Sequence, residues 1–194
     1  MVDEKYLQKL IKNVSALRKK VSHSPIDPNE CVVTYMATKR KSFVGMKSGY
    51  AEQLFRIENG IKESEKIRAN CKDYLKIFRN RQGDVLQIEK YANGRIDCLF
   101  QSYRGESLFC LFPFSANGGF YPTYSYVTVY EGEKIIEEYM VDGDQIVYEC
   151  YSNETETSVD YEFVNYVNGG KAPILEQRTG VFGFAPLRYE NKMR

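Results

Sequence analysis

The spacing of apolar positions changes twice along this chain. Across residues 3–21, Leu7, Leu10, Ile11, Val14, Leu17 and Val21 recur at steps of three and four, with Lys and Arg opposite them. That period predicts an amphipathic helix. Asp3 is placed to cap its start, and Arg18, Lys19 and Lys20 suit the negative end of its dipole. The prolines and short polar residues of 22–29 predict a loop. A β-branched run at 31–36 predicts a strand, with Lys39, Arg40 and Lys41 as a turn and 43–46 as its return. From Ser48, the residues Leu54, Ile57, Ile61, Ser64, Cys71, Leu75 and Phe78 fall mostly on one helical face. A second helix is therefore predicted up to Asn80, split near Asn59-Gly60, because a helical Gly costs about 1 kcal/mol.

After Gly83 the period becomes two. Strands are predicted at 84–92, 95–103, 106–114, 124–131, 133–141, 144–151 and 156–167. Turns fall at Asn93-Gly94, Gly105, Glu131-Gly132, Asp142-Gly143 and Asn153, and Asn-Gly and Asp-Gly are the residues that two-residue hairpins need. Close, regular turns make an antiparallel meander. The run from Leu108 to Phe114 is apolar at nearly every position, as in a central strand covered on both faces. A last strand is predicted at 172–177, with 180–184 turning back and a polar tail from Tyr189 to Arg194.

The fold class is thus α+β. N-terminal helices within 1–80 pack on a large curled antiparallel meander over 84–184, a sheet that curls or partly closes into a barrel. A length of 194 residues fits a single domain, 1–194. The composition agrees, since 14% aromatic residues, with sixteen Tyr, eleven Phe and no Trp, suit half-buried sheet surfaces.

Charge alters the picture more than composition does. The net charge of +1 hides a division: residues 1–80 hold 17 Lys and Arg against 9 Asp and Glu, and residues 81–194 hold 10 against 17. Eleven of those acids lie within 131–162, where Lys134 is the single base. Alternation within strands groups Glu149 and Tyr151, and separately Asp160 and Glu162, and all four are expected together on an outer sheet face. With Glu137 and Glu138 they form the candidate partner-binding set. A solvated face that resists edge pairing is the plain explanation. Against it stands the near absence of compensating cations, because ordinary soluble faces mix both signs.

Little catalytic chemistry is visible. The chain has one histidine, His23, expected as an exposed loop residue, so a Ser-His-Asp triad or a His-rich metal site lacks material. Gly45 to Gly49 lacks the spacing of a phosphate-binding loop. Five scattered cysteines fit neither a disulfide framework nor a zinc site. Neither a leader peptide nor a membrane-spanning run is apparent, and a reduced cytoplasmic setting is expected. The basic helix face and Lys39 to Lys41 could touch nucleic acid, but a solvated face explains them better.

The sequence therefore points to a non-catalytic binding protein without cofactors. Its expected partner is a basic protein, such as a toxin nuclease, blocked as immunity proteins and phage inhibitors block theirs. This is likeness of character only. The alternatives are a β-barrel binding a small ligand and a hydrolase using carboxylates or a metal.

Overall fold

The computed structural model describes residues 2–37, 63–132, 134–155 and 158–183, with the side chains of Phe182 and Gly183 excepted. One helix, α1 (Glu4–Lys20), and a short 3₁₀ turn (Pro28–Glu30) precede ten strands. These are β1 (Val32–Ala37), β2 (Tyr74–Arg79), β3 (Val85–Ala92), β4 (Arg95–Arg104), β5 (Leu108–Phe114), β6 (Ser125–Glu131), β7 (Lys134–Asp142), β8 (Gln145–Ser152), β9 (Ser158–Val167) and β10 (Ile174–Gly183). They form one sheet in strict sequence order, every neighbouring pair antiparallel. β1 and β10 do not pair, so the sheet is open and is not a barrel.

The α1 signals act as expected. The Asp3 carboxylate accepts from the Lys5 N–H at 3.0 Å, while Glu4 lies in the first turn and Arg18, Lys19 and Lys20 in the last. Leu7, Leu10, Ile11 and Val14 are buried against one face of the sheet, with Leu99, Phe112, Val127, Tyr139, Tyr148 and Val164 among their companions. The opposite face carries a second buried cluster running from Met36 of β1 to Phe163 of β9, including Ile88, Phe100, Leu111, Tyr126, Met140 and Val147. β5 serves both faces: Phe109 and Leu111 point one way, Cys110, Phe112 and Phe114 the other. Its unbroken apolar run follows directly.

Three expectations need correction. The predicted helix does not extend to Asn80, since Tyr74–Arg79 is strand β2, paired along both edges. Leu75 and Ile77 alternate into the second cluster, and Phe78 is buried as well. The spacing of Leu75 and Phe78 mimicked a helical step. Only one α-helix occurs among the described residues, and the predicted turn 39–41, return strand 43–46 and first half of the second helix lie outside them. At the far end, 174–183 is one continuous strand with a bulge between Ile174 and Glu176, rather than a strand and a return.

The hairpins show why turn chemistry located the strands so well. Asn93 and Gly94 have φ of 53° and 76°, positive at both central positions as a type I′ turn requires. In the β7–β8 turn the central residues are Gly143 and Asp144, and Gly143 carries the positive φ. No described helix is long and apolar enough to cross a membrane.

Candidate functional site

Cross-strand pairing decides which acids meet. On β8 and β9, Cys150 lies opposite Glu162, and Glu149 opposite Phe163. Directly paired residues share a face, so Glu149 and Tyr151 project to one side and Asp160 and Glu162 to the other. The four do not form a single outer surface. β7 divides likewise: Glu138 pairs with Glu149 on the second face, and Glu137 pairs with Cys150 on the helix face.

On the second face, Glu138, Glu149 and Tyr151 form a closed group. Glu138 and Glu149 are 0% and 1% exposed, so neither offers its charge to an outside partner. The Tyr151 hydroxyl stands 2.9 Å from Glu138 Oε2 and 2.7 Å from Glu149 Oε2. Burial pushes the Glu138 carboxyl up to about 8, and the Glu149 charge adds to this, while the short contact with the Tyr151 hydroxyl partly opposes it. Tyr151 is raised by burial and then by the two carboxylates. The two carboxylates occupy one transverse row of directly opposed residues, Arg104–Phe109–Thr128–Glu138–Glu149–Phe163–Arg178, spanning β4 to β10, and Tyr151 lies two residues from it along β8. At its two ends the guanidinium carbons of Arg104 and Arg178 lie 5.2 and 4.4 Å from the ring centres of Phe109 and Phe163.

On the helix face, Glu137 and Glu162 meet the start of α1, and Asp160 lies on the same face two residues from Glu162. The Tyr6 hydroxyl approaches both Glu137 oxygens, at 2.9 and 2.7 Å. Glu162 accepts from the Val2 N–H at 3.0 Å and from the Gln177 amide at 2.9 Å. Burial raises the Glu162 carboxyl, but those bonds and the chain's amino terminus outweigh it and hold it below the usual range. Asp160 accepts from the Asn153 side chain at 2.7 Å. Thus Glu137 and Glu162 tie down α1, whose own Asp3 and Glu4 are exposed beside them.

The remaining candidates take smaller parts. His23 is half-buried instead of exposed, with its ring 5.8 Å from that of Phe114. Arg18 donates to the Tyr121 carbonyl at 3.1 Å and covers the Phe120 ring. Lys12, Lys19 and Lys20 line a groove of about 550 Å³ between α1 and the Gly143 and Asn168 turns. No group of three or more His, Cys, Asp and Glu able to hold a metal occurs among the described residues. Gly45 to Gly49 lies outside them.

Thr128, Phe109, Phe163, Arg104 and Arg178 were not singled out from the sequence, because nothing in the chain's alternation reveals which residues will be transverse neighbours. Comparison with protein-family models, curated proteins and solved structures returned no match, and the functional reading rests on geometry alone.

Proposed function

We propose that this chain is a non-catalytic binding protein that blocks a basic protein partner, such as a toxin nuclease, through the acidic end of its helix face. The observation that carries the reading is that Glu137 and Glu162 of the sheet bond directly to the Tyr6 hydroxyl and the Val2 N–H at the start of α1, where Asp3 and Glu4 also lie, while Asp160 stands on the same sheet face two residues from Glu162. Among the lysines and arginines of the first two helical turns, Lys5 and Lys9 stand against these five carboxylates. A concentrated field of one sign steers an oppositely charged partner and fixes its register. The surface is smaller than the sequence suggested, because Glu138, Glu149 and Tyr151 belong to the other face.

The test compares wild type with a Glu4→Lys/Asp160→Lys double variant, two positions that do not anchor the helix. Both proteins are immobilised and exposed to lysate of the native host, and their thermal melts are recorded alongside. A basic protein recovered in equal amount to the bait by the wild type, and lost from an equally stable double variant, is the expected result. Equal recovery by both baits, or no basic protein with either, removes the proposal.

A further inference from the structure

We propose that Glu138, Tyr151 and Glu149 form a proton latch: the group holds one carboxyl proton in addition to the phenol's own, and losing it loosens the β7–β8 pair. The inference is independent of any partner. It starts from counting protons. A phenol has one proton to donate, yet the Tyr151 oxygen lies within hydrogen-bond distance of two carboxyl oxygens, at 2.9 and 2.7 Å. With two ionised carboxylates, one of these short contacts would set a lone pair against a lone pair. With one carboxyl protonated, both contacts become bonds: the acid donates to the phenol oxygen, and the phenol donates to the remaining carboxylate. Glu138 is the protonated member. It is 0% exposed, lies among the apolar side chains of the second face, and takes the longer contact. The shorter contact, to Glu149, is the phenol's charge-assisted donation.

The surroundings support the assignment. From β6, Thr128 is the direct neighbour of Glu138, and Tyr130 is electrostatically coupled to both Glu138 and Arg104 of β4. From β8 come Glu149 and Tyr151 themselves. From β9 the neighbour of Glu149 is Phe163, and the cation of the next strand, Arg178, lies over that ring. The Glu149 charge that acts on Glu138 has the same sign and resists a second ionisation. When the proton leaves to solvent, Tyr151 keeps its own, and two buried like charges remain on adjacent strands. Strain there reaches the helix through the next residue, because Glu137 holds Tyr6 of α1.

Linkage fixes the direction. A carboxyl whose folded affinity for its proton exceeds its unfolded one favours the closed state fully at low pH. That advantage shrinks up to tenfold per pH unit between the two values, here from the ordinary 4.5 to about 8. Two measurements on the whole protein test this. The first is the carboxyl ¹³C titration of wild type, expected to show one Glu resonance moving above pH 7 and absent in Glu138→Gln. The second is amide exchange: protection of β7 and β8 should fall by a factor of ten or more from pH 5 to pH 8 in wild type. In Glu138→Gln it should be nearly level. If every glutamate titrates below pH 6 and protection in wild type is constant over that range, the latch does not exist. The wild-type titration decides the question even if the variant fails to fold.

Discussion

Leu7→Ala measures how much of the fold depends on α1. Leu7 is fully buried between the helix and the sheet, in the cluster that also holds Phe112, Tyr139 and Tyr148. Truncating such a leucine removes its transfer free energy and leaves a cavity that the surroundings only partly fill, typically about 3–5 kcal/mol in total. The lower end applies if Tyr6 and Leu10 settle inward, and the upper end if the Tyr6–Glu137 and Val2–Glu162 bonds hold the helix in place. For a domain of this size each kcal/mol lowers the melting temperature by about 2–4 °C, so a fall of roughly 6–20 °C is expected. Urea unfolding followed by circular dichroism gives the free energy, with Leu7→Met as a volume-conserving control expected to cost below about 1.5 kcal/mol. Lys12→Ala, on the opposite side of the helix, should change stability by less than about 0.5 kcal/mol. A Leu7→Ala loss under 1 kcal/mol would refute the argument, because the helix face would then not depend on α1.

Three further outcomes are expected. Gly180→Ala places a methyl 2.7 Å from the Tyr161 ring that lies across it, costing about 1–3 kcal/mol, and Tyr161→Ala in the same chain should remove most of that increment in a double-mutant cycle. Arg79→Ala leaves the carboxylate of Glu63, which it holds at 2.6 Å with both side chains almost fully buried, without its cation; a loss of about 3–5 kcal/mol in urea unfolding is expected. Glu162 has a lowered folded value, so its contribution is present above its unfolded value and disappears as pH falls through the folded one. The acid limb of a stability–pH curve should therefore be shallower in Glu162→Gln than in wild type, whereas equal slopes would show that its bonds to Val2 and Gln177 carry no linkage.

Most of the fold was legible because its signals are local. The helix needed only the repeat of Leu7, Leu10, Ile11 and Val14, and the meander needed only alternation and turns such as Asn93-Gly94. β2 was misread because Leu75 and Phe78 are three apart and both buried, one on each face of a strand covered on both sides, where alternation is lost. The candidate site failed at a different level. Alternation within β8 and within β9 was read correctly, but relating the two needs register, and a shift of one residue moves a whole strand's side chains across the sheet. The assumption of a solvated outer face failed too, since both faces bear buried clusters and Glu138 and Glu149 lie inside one of them.

The strict strand order has a consequence for how the chain assembles. From β2 to β10 every strand pairs with its neighbours in sequence, and several connections are as short as two residues, so within that run no pairing waits for distant segments to meet; only β1 is joined to its partner across a long separation. Short loops cost little entropy to close, and folding rate follows the sequence separation of contacts more than strand content does. The nine strands built this way can start at any tight hairpin and grow outward one strand at a time, like a zip closed from the middle, with β1 added across its longer connection.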